Sequence, residues 1–307
     1  MPEAEVAAYV PRVVPRSHHV DLRGAATHVL NWGDERAPKL FLLHGWMDVA
    51  ASFQFLVDAL TRPFHVIAPD LRGFGRSAWH PDGYWFADYV ADLDALIARF
   101  APEERIRLGG HSLGANVVMH YAGVRSERVE TVIALDGFGI PSEASKRAPD
   151  KLASWLDALA TPPSFAPYDT FEAVAARLTK NDARLTPDKA AFLARHWASR
   201  SGDSKIRLTS DPRHKLPFPI VYRLEEVFAV WRRITARTLW IAALDSDIPA
   251  WLDRHPEGEA ATDSLAGVRK RMTNIQGATL VTIADAGHML HHDQPHAVAG
   301  AIESFLR

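Results

Sequence analysis

The sequence predicts an α/β fold: a mostly parallel sheet of the eight-stranded type, flanked by helices, with a helical segment inserted into it. Three observations carry this. Short apolar, β-prone runs alternate with helical patterns from Lys39 to Leu135 and again from Thr238, and such alternation builds a parallel sheet covered on both faces. A G-x-S-x-G motif stands between a β-prone run and a helical one. The alternation lapses between about Phe138 and Ile234, a stretch too long to be a loop.

The elements follow in order. His18–Arg23 and Ala26–Trp32 are β-rich, with Gly24 between them as a hairpin turn. Lys39–Leu43 is a continuous apolar run ending at His44-Gly45, the pattern of a strand buried on both faces. A helix is expected near Ser52–Thr61, then a short buried strand at His65–Pro69. Asp88–Phe100 puts Tyr89, Leu93, Leu96 and Ile97 on one helical face. Thr131–Leu135, Thr238–Ala242 and Thr279–Ile283 read as further strands. Between them, Asp150–Leu159 and Thr170–Leu178 have helical patterns, and Leu224–Ile234 leads back to the sheet. The expected organisation is a core of residues 1–137 and 235–307 with a helical cap at 138–234.

Composition narrows the functional class. The chain has 307 residues, 47% hydrophobic and 23% charged, with a net charge of −2, so neither a nucleic-acid footprint nor a polybasic membrane patch is expected. Cysteine is absent, which removes thiol catalysis and cysteine-ligated metals and fits a reducing compartment. Met1–Arg16 carries no apolar signal region, and no run of ~18 apolar residues suggests a membrane span. A cytoplasmic location is the expectation.

Gly110-His111-Ser112-Leu113-Gly114 follows the β-prone run Arg105–Gly109 and precedes the helical Ala115–Ala122. A serine on so sharp a strand-to-helix turn has its hydroxyl pushed out above the sheet, and glycine on either side avoids a Cβ clash. Ser112 is therefore the expected nucleophile. It needs a base, and the base needs an orienting group. His288 follows the last predicted strand, so its loop should open on the same strand-end face as Ser112; His291 and His292 fall at the start of the next helix. For the acid, the chain order Ser…Asp…His favours Asp245 and Asp247, just after the strand ending near Ala243. Asp136, after Leu135, is a third candidate that would otherwise be read as a loop or helix cap. The backbone N–H groups of Leu113 and Trp46 are the expected oxyanion donors.

Other motifs are expected to be structural. The glycine-rich Asp70–Ser77 run matches neither phosphate-binding pattern. His18-His19 and His291-His292 are adjacent pairs, without the i, i+4 spacing that shares a helix face, so no metal is predicted. The tryptophans Trp155, Trp197 and Trp231 could line an apolar pocket or simply fill the core.

Taken together, His44-Gly45-Trp46, Asp70–Ser77, Gly110–Gly114 and Gly287-His288 resemble the α/β-hydrolase fold family. The stretch His44–Phe53 is especially similar to its serine hydrolase-like branch. The resemblance covers the sheet domain and leaves the cap unmatched. It implies acyl transfer, because relatives resembling haloalkane dehalogenases or epoxide hydrolases carry aspartate at the position of Ser112. One departure stands out: the family's Gly-x-x-Asp is missing after the seventh strand, where Ala243 and Ser246 stand, and this raises the standing of Asp136. The expected function is cofactor-free hydrolysis of an ester, thioester or lactone with a small to medium apolar acyl group. The expected partner is that small-molecule acyl substrate, and the expected state is monomer or homodimer. Carbon–carbon hydrolysis or perhydrolysis with the same residues, or a non-catalytic binding protein, are the alternatives.

Overall fold

A computed structural model describes residues 7–252 and 265–307. The two core segments predicted from sequence therefore reach outside the described residues at 1–6 and 253–264, and so does the start of the Met1–Arg16 stretch.

In chain order the first half comprises β1 (Arg16–Leu22), β2 (Ala25–Trp32), β3 (Lys39–Leu43), α1 (Gln54–Ala59), β4 (His65–Pro69), α2 (Phe86–Phe100), β5 (Ile106–His111), α3 (Leu113–Val124) and β6 (Val129–Leu135). The intervening segment carries α4 (Ala148–Ala160), α5 (Phe171–Asn181), α6 (Pro187–Trp197), the hairpin β7 (Ala198–Arg200) and β8 (Ile206–Leu208), and α7 (Leu224–Trp231). The chain then returns through β9 (Arg237–Ala243), α8 (Asp247–Leu252), α9 (Ala266–Met272), β10 (Thr279–Ile283), α10 (Leu290–Asp293) and α11 (Pro295–Phe305).

Eight strands form one sheet in the order β1-β2-β4-β3-β5-β6-β9-β10. β1 and β4 run antiparallel to β2, and the other pairings are parallel. The continuous apolar strands divide their side chains between two cores, as the period-two pleat requires. Phe41 and Leu43 join Tyr89, Val117 and Val227 from α2, α3 and α7 on one face. Leu40 and Leu42 join Leu56 and Ile302 from α1 and α11 on the other.

The last part of the intervening segment belongs with the sheet. Trp231 of α7 is fully buried among Phe138 and Trp240, and Val230 lies so close to Gly123 of α3 that a Cβ there would come within 2.3 Å of its carbonyl oxygen. The α5–α6 pair and the hairpin form a core of their own, with Val174, Leu193 and Ile206 gathered around Phe55. No helix among the described residues is long and apolar enough to cross a membrane.

The strand order sets the site. From β3 the chain crosses to β4 on one side, and β5 takes the other. Such a switch point opens a crevice at the strand ends. Leu43 pairs with Gly110 and His111 with Leu135, which brings the loop after β3, Ser112 and Asp136 side by side.

Candidate active site

Ser112 leaves β5 in a left-handed conformation, φ 52° and ψ −111°, and starts α3. A side chain in that region is costly and is held only where its surroundings over-determine it. The surroundings here are tight. A Cβ on Gly110 would lie 2.3 Å from the backbone of Gly114, and one on Gly114 would lie 2.1 Å from the Leu43 carbonyl oxygen. The Ser112 N–H is tied to the Leu135 carbonyl at 3.0 Å. Glycine at both positions is thus a requirement of close backbone packing.

His288 stands over the serine. Its Nε2 is 3.0 Å from Ser112 Oγ and its Nδ1 is 2.8 Å from Asp136 Oδ2. A carboxylate only accepts, so Nδ1–H donates to Asp136 and Nε2 is left to accept from the hydroxyl. The His288 carbonyl accepts from His111 Nε2 at 2.7 Å. His111 therefore links the turn carrying Ser112 to the backbone of the loop carrying His288. Burial, with His291 and His288 nearby, holds the His111 imidazole well below the usual range, so it stays neutral.

Asp136 is the carboxylate that meets His288, which reverses the order expected from sequence. Its side chain is fully buried. Besides His288 it accepts from the Ser246 hydroxyl at 2.5 Å and from the Ala243 N–H at 3.3 Å. Asp245 and Asp247, favoured earlier, are exposed on either side of Ser246. Asp245 pairs with Arg184 at 2.8 Å, and Asp247 opens α8. The physical reason lies in the loop after β9: Ser246, which stands in the place of the family's carboxylate, turns inward and donates to Asp136, while the acids on either side of it face outward, Asp245 to Arg184.

The loop after β3 runs against Ser112, since a Cβ on Gly45 would lie 3.3 Å from Ser112 Cβ. His44 is fully buried; its Nδ1–H donates to the Gly45 carbonyl at 2.7 Å and its Nε2 accepts from Leu71 N–H at 2.9 Å. Trp46 and Leu113 line a cleft of about 420 Å³ whose other walls include Tyr84, Trp85, Trp155 and Phe218. Of its charged side chains, Arg213 pairs with Asp211 at 2.7 Å, to which Tyr84 also donates at 2.7 Å, and Asp82 is exposed at the rim.

The Asp70–Ser77 run forms a buried turn. Asp70 accepts from His28 Nδ1, Ala50 N–H and Arg76 N–H at 2.7–2.9 Å, and Gly75, at φ 56°, leaves no room for a Cβ against that carboxylate. His291 and His292, although adjacent in sequence, converge on Ser52 Oγ at 2.9 and 2.6 Å. With Asp48 they bring one ligand atom each within 4.8 Å of one another. A metal-bound imidazole normally donates its other N–H to an acceptor, but His291 Nδ1 is buried without a partner among the described residues. The Ser52 hydroxyl already bridges the two rings. The cluster fits hydrogen-bonded packing better than a metal site.

Fold and site define a class: residues 40–301 match the alpha/beta hydrolase family, and the chain belongs to it. Within that family it sits in the serine hydrolase-like branch. It is 29% identical over 286 residues to a serine hydrolase-like protein of Danio rerio, covering 90% of this chain and 83% of that one. It is 28% identical over 292 residues, with the same coverages, to a probable serine hydrolase of Drosophila melanogaster. Among solved structures, the thioesterase domain from the curacin biosynthetic pathway superposes with a TM-score of 0.79 at 22% identity, over 96% of this chain and all of that domain. The protein is a hydrolase.

Proposed function

We propose that the protein is a serine hydrolase that cleaves an ester, thioester or lactone through an acyl-enzyme on Ser112. The observation that carries this reading is the continuous chain from Ser112 Oγ through His288 to buried Asp136, with contacts of 3.0 and 2.8 Å. His288 takes the serine proton as Oγ attacks the carbonyl carbon. Asp136 keeps the imidazole in the Nδ1–H tautomer and stabilises the imidazolium that forms. The proton then passes from Nε2 to the leaving oxygen or sulfur. Water, deprotonated by the same imidazole, releases the acid and restores Ser112. The Trp46 and Leu113 N–H groups are the donors for the oxyanion.

Residues 138–234 act as a cap up to α7, contributing Trp155 and Phe218 to the cleft. A cleft walled mostly by aromatic and aliphatic side chains, with Arg213 already paired to Asp211, suits an uncharged, small to medium apolar acyl group. The names of the two animal relatives support the same chemistry.

A fluorophosphonate probe and stopped-flow hydrolysis of a p-nitrophenyl ester test the reading together. Wild type should be labelled and should release a stoichiometric burst of nitrophenol, while Ser112→Ala and His288→Ala, folded by circular dichroism, should do neither. A folded wild type that shows no label and no burst would leave a binding protein as the better account.

A further inference from the structure

The loop that carries Trp46 is strained and is held from outside the sheet domain. Met47, with φ 57°, is in the left-handed region, where a residue with a Cβ does not rest unless its neighbours hold it. On the near side of the strain, His44 is pinned by its bonds to Gly45 and Leu71. On the far side stands Asp48, 2% exposed, whose Oδ1 accepts from Trp197 Nε1–H at 3.1 Å. Trp197 ends α6, 149 residues away, and it is not among the residues lining the cleft. Behind Asp48 the Ser52, His291 and His292 cluster forms a buried, hydrogen-bonded wall, so the carboxyl cannot relax inward.

We infer that Trp197 and Asp48 are positioning residues: together they clamp the strained Met47 backbone and so aim the Trp46 N–H at the oxyanion. The inference rests on the acyl-transfer reading above. It has a mechanical logic. Without the clamp, Met47 gains by relaxing to negative φ, which rotates the peptide planes on either side and turns the Trp46 region away from Ser112. The nucleophile and the base are untouched by that movement, and of the residues lining the cleft only Trp46 is displaced. The loss should therefore fall on the transition state, where the oxyanion develops, and spare substrate binding.

The test compares wild type, Trp197→Phe and the double variant Trp197→Phe/Met47→Gly as full chains, on one p-nitrophenyl ester. Trp197→Phe keeps an aromatic ring, with less bulk, and loses the donor. It should lower kcat about 10- to 100-fold, less than the roughly 10²–10³ of losing an oxyanion donor outright because the donor is misaimed and not removed, with KM changed less than about threefold and the pH midpoint of kcat/KM unmoved. Adding Met47→Gly should recover kcat several-fold, because glycine adopts positive φ without strain. Asp48→Ala should follow Trp197→Phe if it folds, and the Trp197 pair decides the matter if it does not. An unchanged kcat in Trp197→Phe, a rise in KM alone, or no recovery with Met47→Gly would overturn the clamp. A folded wild type with neither fluorophosphonate label nor burst would instead overturn the acyl-transfer reading, and the clamp would fall with it.

Discussion

At the scale of single residues, the acid makes the sharpest prediction. Asp136 is the carboxylate in contact with His288, and Asp245 is occupied by Arg184 at the surface. Asp136→Asn keeps the shape but lets the imidazole settle in the wrong tautomer, and kcat near neutral pH should fall by about 10⁴. Asp245→Asn removes an exposed ion pair worth at most about 1 kcal/mol and should leave kcat/KM within about threefold. Steady-state kinetics of the two purified variants measure both; similar losses in each would contradict the assignment. The sequence pointed at Ser112 and His288 because glycine spacing and strand-end position are local properties. The acid was harder to read, because which carboxylate meets His288 depends on which side chains of the loops after β6 and β9 turn inward, and that leaves no local mark. The departure Ala243-Leu244-Asp245-Ser246 was the available signal: with no carboxylate in the family's place, a serine there could only support one coming from elsewhere.

At the scale of elements, the buried strands were readable almost to the residue. Lys39–Leu43 and His65–Pro69 coincide with β3 and β4, because a strand buried on both faces reads as a near-continuous apolar run; Thr279–Ile283 coincides with β10, an edge strand buried only at Ile283 and read from its β-prone composition. The intervening segment was less legible. α6 and the β7–β8 hairpin escaped notice, since α6 mixes charged and apolar residues and the hairpin strands have three residues each. Their stability comes from each other and from Phe55, which is tertiary information. The turn between β5 and α3 has its own test. Gly114→Ala places a methyl 2.1 Å from the Leu43 carbonyl, where neither β3 nor the turn can yield. Urea denaturation should show a loss of about 1–3 kcal/mol, and labelling of Ser112 by a fluorophosphonate should slow, because the strain is relieved by displacing the serine. A variant of wild-type stability would mean that the turn is looser than its packing indicates.

At the scale of the whole molecule, the buried histidines couple stability to pH. His111 and His291 are held well below the usual imidazole range by burial, and His292 is pushed down to about 3 by burial with His111 and Lys189 nearby. Each is neutral in the folded chain and has an ordinary pKa near 6.5 when unfolded. Below 6.5 the unfolded state binds protons that the folded state refuses, so stability declines with falling pH until the folded pKa is reached. Each such histidine contributes a slope of up to about 1.4 kcal/mol per pH unit. Asp48 acts in the opposite sense: burial raises its carboxyl, so the folded state takes up a proton above the unfolded value of 3.8. The carboxyls of Asp70 and Asp211, which are lowered despite burial, withdraw their support only below about 4. The interval from pH 6.5 to 4 therefore belongs to the histidines: burial also lowers His65, His196 and His214, against the raised carboxyls of Asp48 and Asp293. Urea denaturation should show the unfolding free energy falling steadily from pH 7 to pH 5. His292→Gln, which keeps a donor for Ser52 but cannot titrate, should be less stable at pH 7 yet show a shallower decline, by roughly 1 kcal/mol per pH unit. Parallel declines in the two proteins would show that His292 is protonated in the folded state and that the cluster around Ser52 is open to water.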